Sequence, residues 1–315
     1  MTTTAAVVVT YNRKVLLAEC LDALLRQSKP LDRIYVVDNA SNDGTDRFLQ
    51  AGGYMGRAEL TYIRLDVNMG GAGGFHEGIK AAYADGHDWI WIMDDDAEPK
   101  PDALERLAAH YSEDVCAVAS LVVRPDGSID LLHRGRFNAM LGGSLIDRMT
   151  PADAEQPSVD IDFCTFVGLD IRRNVVEAIG LPKKEFFIHF DDNEYCHRIR
   201  TVGRILLVPG SAILHKNAGS VSARIRFENG KLVTCVPYDK LWLTYFLFRN
   251  RTWLRTQKHP GIGPLYAVSA LLMKFLGILI FEDHKLRRMR FWLNACMDGI
   301  AGRFDNDKPK RLLAE

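Results

Sequence analysis

Three adjacent carboxylates, Asp94, Asp95 and Asp96, follow directly on an apolar run that contains Trp, Ile and Met. Like charges this close repel and raise one another's pKa unless a cation lies among them. In extended chain, Asp94 and Asp96 point to one side and Asp95 to the other. Two carboxylates on one side offer hard oxygen ligands to Mg²⁺ or Mn²⁺ and leave positions for water and substrate phosphates. A solvated acidic turn before the helix at Pro101 is the alternative, but the position at the end of an apolar strand favours the metal site.

A second acidic pair, Asp191 and Asp192, opens a predicted helix over residues 191–203. Asp191 and Glu194 match a capping box, so one carboxylate could simply cap the helix, and taken alone this is the simpler interpretation. The helix dipole keeps a carboxylate in this position ionised at neutral pH. Such a carboxylate could remove a proton from an attacking hydroxyl while the new bond forms.

Two further positions have both a structural and a chemical interpretation. His215 ends a strand-like run; a lone histidine is usually structural, and only acidic neighbours would make it a metal ligand. Asp38 follows a buried strand and precedes an Asn/Asp/Gly turn. Its carboxylate could accept hydrogen bonds from a nucleobase N–H or a ribose hydroxyl, or it could belong to an Asx-turn.

The segment 68–82 places four glycines in five positions ahead of a helical pattern. Glycine-rich loops at helix starts often bind phosphates, but this one does not match G-x-G-x-x-G in register and lacks the G-K-[ST] ending of a P-loop. We therefore expect a loop whose bare backbone N–H groups approach a ligand, the alternative being a flexible turn that lets the helix start. In the first case, valine at Gly73 or Gly74 should impair ligand binding more than folding.

The elements that must position these residues follow from an alternation of β-rich runs and helical patterns. Strands are predicted over 5–11, 33–39, 60–65, 88–94 and 115–123, with helices between them. Short connections of this kind indicate βαβ units, and therefore an α/β fold with a mostly parallel central sheet and helices on both faces. Ligands bind such sheets beyond the carboxyl ends of the strands. The polar clusters fall there: Thr10–Asn12, Asp38–Asn42, Asn68–Gly74 and Asp94–Asp96.

The second half of the chain is less regular. Residues 124–160 are polar, rich in Gly and Pro, and expected to be irregular, whereas 162–173 and 204–215 are predicted to be extended. The composition changes after Pro237, so we divide the chain into an α/β domain, 1–236, and a helical, basic region, 237–315.

The apolar run 264–281 holds one charge, Lys274, and is near the lower length limit of a membrane span. A span would place that charge near the bilayer centre, at high cost. We expect amphipathic helices instead, packed on the body or lying on a membrane surface with the Arg/Lys cluster 285–290 towards anionic lipid. An ordinary helical subdomain with solvated basic residues is the alternative.

Composition sets outer limits on function. The 315 residues are 47% hydrophobic and carry 40 Lys and Arg against 40 Asp and Glu. Net charge therefore says nothing about a polyanionic partner. We expect no nucleic acid among the partners. Six cysteines without a C-x-x-C pair favour reduced thiols in a cytosolic protein over a zinc ribbon or a redox dithiol. The N-terminus lacks a basic n-region and is expected to be a first strand, not a signal peptide.

Taken in order, five motifs resemble those of family 2 glycosyltransferases with the GT-A fold, over roughly residues 4–220. They are VVVTYNR (7–13), VVDNASNDGT (36–45), N-x-GGAGGF (68–75), the triple Asp after W-I-W-I, and FDDNEY with a later His. The glycine segment, the triple Asp and DD-x-E-Y most resemble bacterial galactofuranosyltransferases, with rhamnosyltransferases of polysaccharide assembly as close relatives. The C-terminal segments LFRNR and DGIAGRF also look like those of this group.

The resemblance implies roles for particular residues. Thr10, Asn12 and Asp38 would hold the uridine or thymidine of a sugar nucleotide. Further donor contacts are expected at the glycine segment and the triple Asp, namely at Asn68, Gly70, Gly71, Gly73, Gly74, Asp94 and Asp95.

The same resemblance implies the chemistry. Asp94, Asp96 and His215 would hold a divalent metal, Mn²⁺ or Mg²⁺, on the donor diphosphate. Asp192 would be the base of an inverting transfer, with Asp191 beside it and not separable from it.

The expected function is therefore metal-dependent transfer of galactofuranose from UDP-galactofuranose to a glycan or lipid-linked glycan, in bacterial polysaccharide or cell-wall assembly. A rhamnosyltransferase that uses dTDP-rhamnose and a non-catalytic sugar-nucleotide-binding protein are the alternatives. A nucleotidyltransferase would show a Gly-rich, basic loop after the first strand, which VVVTYNRKVLL lacks. The sequence has no large extra C-terminal domain like that of the bifunctional galactan polymerase, which favours one or a few additions. We expect a cytoplasmic protein, peripheral on the inner face of the plasma membrane, and leave its oligomeric state open.

Overall fold

The computed structural model describes residues 2–138, 146–216, 224–228 and 231–314. Their contacts divide them into two compact units. The first unit comprises the described residues within Met1–Phe137, Ile146–Lys184 and Asp191–Ala218, and the second those within Asn138–Leu145, Glu185–Phe190 and Gly219–Glu315. The division at residue 236 drawn from composition stays a prediction.

The strands are numbered here in chain order. They are β1 Thr4–Thr10, β2 Arg33–Asp38, β3 Leu60–Arg64, β4 Trp89–Asp94, β5 Ala97–Pro99, β6 Val115–Val123, β7 Arg134–Phe137, β8 Ile146–Arg148, β9 Val159–Ile161, β10 Phe163–Cys164, β11 Leu169–Arg172, β12 Arg204–His215, β13 Arg224–Glu228 and β14 Lys231–Cys235. The helices are α1 Lys14–Leu25, α2 Thr45–Ala51, α3 Gly70–Ala84, α4 Ala103–Ala108, α5 Arg173–Ile179, α6 Asp191–Val202, α7 Trp242–Lys258, α8 Gly263–Phe281, α9 Lys285–Ala301 and α10 Lys308–Ala314.

The first unit is built on a nine-stranded sheet. Its order is β3-β2-β1-β4-β11-β6-β12-β5, with β9 also paired to β12. Six of the nine strands run in one direction, and β11, β9 and β5 run against them. The predicted α/β fold with a mostly parallel sheet is confirmed, and the antiparallel insertion of β11 between β4 and β6 is new.

Alternation along the central strand β1 fills both faces of this sheet. Val7 and Val9 contribute to one core cluster, together with residues of α3, α5 and α6. Ala6 and Val8 contribute to the opposite cluster, together with residues of α1, α2 and α4. All seven residues of β1 are buried, as expected for a strand with helices on both faces.

Three short strands lie in the stretch 124–160, where an irregular segment is expected, and this expectation is wrong for them. Strand β7 pairs with β8 and with β10 in a small antiparallel sheet, while β9 joins the main sheet. Their sequences, RGRF, IDR and VDI, are too short and polar to show the alternation that identifies a strand. Residues 139–145 of this stretch lie outside the described residues.

The glycine segment is not a loop, which corrects the expectation from sequence. Helix α3 already begins at Gly70, and Gly71, Gly73 and Gly74 lie in its first turns. A Cβ at Gly74 would collide with Val9 Cγ1 and lie 3.0 Å from Asn39 Nδ2, and one at Gly73 would collide with Met69. Glycine therefore lets the helix start lie directly on β1, whereas Gly71 faces open space.

The second unit contains helices α7 to α10, so the predicted C-terminal helical segment is confirmed. Its core is formed by residues such as Tyr245, Phe291 and Trp292. Gly299 allows α9 to approach α7, since a Cβ there would lie 2.6 Å from the Arg249 carbonyl oxygen. By length and composition alone, α8 is one helix apolar enough to cross a membrane, and only 17% of its apolar window is buried.

Candidate active site

Strand pairing brings Asp96 and His215 together. Asp94 is the last residue of β4, and the turn that follows it carries Asp96 into β5. Strand β5 pairs antiparallel with the end of β12, so that His215 lies opposite Ala97, and Lys216 N–H donates to the Asp96 carbonyl at 3.0 Å. The ligand atoms of Asp94, Asp96 and His215 consequently all lie within 4.8 Å of one another.

Burial and the closeness of the two carboxylates determine the pKa values in this cluster. Burial and the neighbouring Asp96 raise the pKa of Asp94 to about 7. Burial lowers the pKa of His215, but its hydrogen bond to Asp96 and the Asp96 charge outweigh this, so the pKa is raised overall. A divalent cation would favour the ionised carboxylates and the neutral imidazole.

The residues present fit such a cation. His215 Nδ1 is buried and has no hydrogen-bond partner among the described residues. Two carboxylates and an imidazole are a donor set that suits Mn²⁺. The structure thus brings together the three residues that the resemblance implies as ligands, and their role as ligands stays a prediction.

Asp95 points away from this cluster and joins the ends of β4 and β1. Its carboxylate accepts hydrogen bonds from Thr10 Oγ1 at 2.7 Å and from Arg13 Nη1 at 3.1 Å. Arg13 also lies 3.4 Å from Asp96 Oδ2. Sequence reasoning did not select Arg13, although a cation next to the Thr10–Asn12 cluster was a usable signal.

Asp38 lies at the end of β2 with its side chain fully buried. Its carboxylate accepts hydrogen bonds from Ser41 N–H at 2.8 Å, from Arg64 Nη1 at 3.0 Å and from the Tyr62 hydroxyl. The Ser41 hydrogen bond is the Asx-turn contact that a purely structural role for Asp38 requires. A role of Asp38 in binding a nucleoside stays open, because its partner Arg64 is half exposed. Tyr62 and Arg64 are two residues apart on β3, so their side chains lie on the same side of the strand. This spacing was visible in the sequence.

Asn12 joins the same region. Its Oδ1 accepts from Asn42 N–H at 2.8 Å, and its own N–H donates to Ser41 Oγ at 2.9 Å. Its φ of 56° is left-handed, a conformation that asparagine adopts more readily than most residues. Nearby, Asn68 Oδ1 accepts from Gly70 N–H at 2.8 Å and so orders the start of α3.

The acid pair lies in the first turn of α6. Burial raises the pKa of Asp191 well above its usual range, and the charges of Asp192 and Asp94 raise it further. Burial also raises the pKa of Asp192 to about 6, although its hydrogen bond from Asn193 N–H opposes this. Because the charge of Asp94 raises the pKa of Asp191, the acid pair and the cluster of Asp94, Asp96 and His215 interact electrostatically.

Burial raises the pKa of both carboxylates against the effect of the helix dipole, and Asp192, with its pKa of about 6, is still ionised at neutral pH. The expectation of a capping box is the one that the structure corrects. Glu194, which a capping box would require to reach back, accepts hydrogen bonds from Arg198 Nε and Nη2 at 2.8–3.1 Å.

Two further functional candidates come from the stretch taken as irregular. Arg134 is fully buried, and its guanidinium donates to the carbonyls of Ser120 and Val167; its charge lowers the pKa of Asp192. The ring of His133 lies edge-on to that of His215, with centroids 5.0 Å apart. Burial lowers the pKa of His133 to about 3, which keeps it neutral. No signal in the sequence identified either residue.

Known proteins are similar to this chain in sequence and in fold. The sequence model of the Glycosyl transferase family 2 matches residues 5–178. Galactofuranosyltransferase GlfT1 of Mycolicibacterium smegmatis is 30% identical over 308 residues, which cover 95% of this chain and 97% of that protein. The dTDP-rhamnosyl transferase RfbF of Shigella flexneri is 24% identical and covers 94% of this chain and 95% of its own length.

Solved structures agree on the fold. The structure of GalNAc-T7 with UDP, GalNAc and Mn²⁺ has a TM-score of 0.61 at 15% identity and covers 99% of this chain and 58% of that one. Staphylococcus aureus TarS in complex with UDP has a TM-score of 0.58 at 14% identity and covers 99% of this chain and 87% of its own. The fold is GT-A, and the chain belongs to glycosyl transferase family 2 and is a glycosyltransferase.

Proposed function

We propose that this glycosyltransferase moves galactofuranose from UDP-galactofuranose to a hydroxyl group of a glycan or lipid-linked glycan, with inversion and with a divalent metal. One observation carries the proposal: Asp94, Asp96 and His215 converge within 4.8 Å, and the charge of Asp94 acts on Asp191 at the start of α6. The choice of sugar is supported by similarity to a galactofuranosyltransferase along nearly the whole chain.

The donor would lie along the carboxyl ends of the parallel strands. Asn12 and Asp38, with Arg64 beside them, would hold the nucleoside, and Thr10 would act through Asp95. The start of α3 at Gly70 and Gly71 offers backbone to the sugar nucleotide, because Gly71 faces open space.

Asp94, Asp96 and His215 would hold Mn²⁺ or Mg²⁺, which supplies positive charge against the departing diphosphate when it is bound. Arg13, already within 3.4 Å of Asp96, adds a fixed cation at the same edge of the sheet. Structures of similar fold that contain Mn²⁺ together with a nucleotide support this assignment.

Asp192 is the better candidate for the base. Its pKa of about 6 leaves it ionised at neutral pH, and its side chain is only partly buried. Asp191 is more deeply buried, and burial together with the charges of Asp192 and Asp94 raises its pKa well above the usual range, which disfavours the ionised form that a base needs. Asp192 would take the proton from the acceptor hydroxyl as that oxygen attacks the anomeric carbon opposite the leaving diphosphate, and a single displacement of this kind inverts the configuration.

The testing experiment compares donors. Purified protein with Mn²⁺ and an acceptor glycan is offered UDP-galactofuranose, with UDP-galactopyranose and dTDP-rhamnose as matched donors. We expect acceptor-dependent UDP release with the furanose donor and its loss in EDTA. Preference for dTDP-rhamnose would favour the rhamnosyltransferase alternative, which RfbF supports. Activity that EDTA leaves unchanged would remove the metal assignment.

We also propose that the enzyme is peripheral on the anionic inner face of the plasma membrane. Helix α8 exposes large apolar side chains, among them Leu265, Leu272, Met273, Leu276 and Ile280. Three exposed cations follow on α9, namely Lys285, Arg287 and Arg290. An apolar strip beside basic residues is typical of helices that lie in the lipid headgroup region.

The basic cluster is smaller than its sequence suggests, and this refines the proposal. Arg288 is fully buried and paired with Glu282 and Asp283 within the second unit. Lys274 pairs with Glu282 at 2.7 Å and lies over the Trp292 ring. Arg288 and Lys274 therefore stabilise the packing of α8 and α9, and the contact with lipid is assigned to the three exposed cations of α9.

A further inference from the structure

The segment Glu185–Phe190 has an unusual backbone. Phe187, His189 and Phe190 all have left-handed φ values, 65°, 67° and 65°. Left-handed conformations are unfavourable for bulky side chains and persist only where the surroundings enforce them. Something in the second unit, to which this segment belongs, must therefore hold it.

Two buried side chains of α7 do so. Asn250 Nδ2 lies within hydrogen-bond distance of three backbone carbonyls, those of Phe186 at 3.0 Å, Ile188 at 3.1 Å and His189 at 2.8 Å. Arg249 Nη2 donates to the carbonyls of Glu185 at 3.1 Å and Phe186 at 3.2 Å. Both side chains have no solvent-exposed surface. They donate to backbone carbonyls of the segment, of which that of Phe186 also accepts from Ile188 N–H at 2.7 Å.

The two side chains are themselves held in place. Arg249 Nε donates to Asn250 Oδ1 at 2.9 Å, and Arg249 Nη1 donates to Asn306 Oδ1 at 3.0 Å. The guanidinium lies 5.0 Å from the centroids of two aromatic rings, Phe246 and Phe304. Phe304 also stacks on Phe186, with ring centroids 5.6 Å apart. Residues of the LFRNR and DGIAGRF segments thus together hold the backbone of Glu185–Phe190. Their sequences alone did not indicate this role.

Phe190, the last residue of this segment, is joined by its peptide bond to Asp191, the first residue of α6. The body of α6 has anchors of its own, since Arg198 donates to the carbonyls of Ile179 and Leu181. A change of φ at Phe190 from 65° to a negative value would therefore redirect the first turn of α6, which carries the acid pair, more than the rest of the helix.

We propose that Arg249 and Asn250 are positioning residues for Asp192. They fix the backbone of Glu185–Phe190 and thereby the direction in which the chain enters the first turn of α6. The proposal rests on the proposed function, because it takes Asp192 as the base.

The test is a double-mutant cycle on the full-length enzyme. Asn250→Ala, Asp192→Asn and the double variant are compared in single-turnover transfer with Mn²⁺ and whichever donor the wild type accepts. We expect Asn250→Ala to lower the rate about 100-fold, as misplacement of a reacting group by about 1 Å can do. The KM for donor and Mn²⁺-dependent UDP binding should stay within about twofold, because the Asn250 side chain is fully buried and its amide faces backbone carbonyls.

In the Asp192→Asn background, Asn250→Ala should add little further loss, since residues that act through one group are not additive. Asn294→Ala is the matched control, because within the described part of the chain the Asn294 amide donates to the Arg290 carbonyl of its own helix. Arg249→Lys keeps the charge but loses the planar fork; it should show a smaller loss with the same non-additivity, and it replaces Asn250→Ala if that variant does not fold.

The outcomes separate the two proposals. A wild type that transfers no galactofuranose defeats the proposed donor and leaves the cycle to be run with the accepted donor. Full activity in Asp192→Asn overturns the base assignment together with this inference. Full activity in Asn250→Ala beside an impaired Asp192→Asn, or losses that simply multiply in the double variant, overturns the inference alone.

Discussion

The imidazole Nε2 of His215 lies 3.0 Å from the carboxylate Oδ1 of Asp96. The contact arises because β5, only three residues long, turns back along the end of β12. The short antiparallel strand β5 thus keeps Asp96, which precedes it, beside His215, which ends a strand of the parallel set.

Replacement of His215 by alanine should weaken metal binding without unfolding the enzyme. Loss of even an indirect partner of a metal ligand costs about 10-fold to 100-fold in affinity, so the Mn²⁺ concentration for half-maximal UDP binding should rise at least tenfold. Calorimetric titration of UDP at several Mn²⁺ concentrations measures this. His110→Ala, at the end of α4, is the control and should bind as the wild type does. An unchanged Mn²⁺ requirement in His215→Ala would exclude His215 as a ligand.

Asp192→Asn should reduce kcat by about 10²-fold to 10⁴-fold, the range that general-base catalysis contributes. The KM for donor should change little. Asp191→Asn is the matched comparison: since burial raises the pKa of Asp191 well above its usual range, a neutral amide is the better substitute at this position, and the loss of kcat should be smaller. If Asp191→Asn is the more damaging variant, the two roles must be exchanged.

Alanine substitutions at the glycines of α3 should have opposite effects on stability, depending on whether the glycine is packed against a neighbour or faces open space. Gly74→Ala introduces a Cβ against Val9, and overpacking of this kind costs about 1–3 kcal/mol. Gly71→Ala meets nothing within 4 Å and should stabilise the helix by about 0.5–1 kcal/mol. Thermal unfolding of both variants measures the difference. The expectation that Gly74 serves ligand binding more than folding survives only if Gly74→Ala unfolds at the wild-type temperature.

Asp170 should make stability depend on pH. It is fully buried in β11 and accepts a hydrogen bond from the Tyr111 hydroxyl. Burial raises its pKa from 3.8 to about 8, although the Tyr111 bond opposes this. The folded state therefore holds a proton that the unfolded chain releases above about pH 4, and stability falls as the pH rises from about 4 to 8.

Asp170→Asn, which keeps the neutral shape, should flatten this dependence. Unfolding temperatures at pH 5 and pH 8 measure it in the wild type, in Asp170→Asn and in the exposed control Asp66→Asn. Equal slopes in all three proteins would show that Asp170 does not titrate between these values.

Membrane attachment should depend on the three exposed cations of α9. Reversal of Lys285, Arg287 and Arg290 to glutamate should abolish co-sedimentation with vesicles that contain anionic lipid, at about 1 kcal/mol per cation. The control reverses three exposed cations of the first unit, Arg57, Lys80 and Lys100, and should sediment as the wild type does. Equal binding to vesicles of neutral lipid would show that the apolar strip of α8 acts without the charges.

Local patterns predicted much of the sheet. Strands β6 and β12 have the predicted bounds, 115–123 and 204–215, because long runs of buried apolar residues identify a strand by themselves. The polar clusters after β1, β2 and β4 also follow from the rule that ligands bind at carboxyl ends of parallel strands.

Long-range pairing was not predictable. No local pattern indicates that β11 lies between β4 and β6, or that β5 places Asp96 beside His215. Arg134 and His133 were missed because Arg134 begins a strand of only four residues and His133 ends the short 3₁₀ turn before it. Burial raises the pKa of both carboxylates of the acid pair, and no local pattern indicates this, because burial depends on neighbours from distant parts of the chain.

The insertion of β11 also sets an order of events during synthesis. Strands β4 and β6 are complete by residue 123, yet each pairs with β11, which ends at Arg172. Until the ribosome has released that stretch, both strands present open, apolar edges on which another chain can add a strand. We therefore expect nascent chains that stall between residues 123 and 172 to be more prone to aggregate than chains in which β11 is already available.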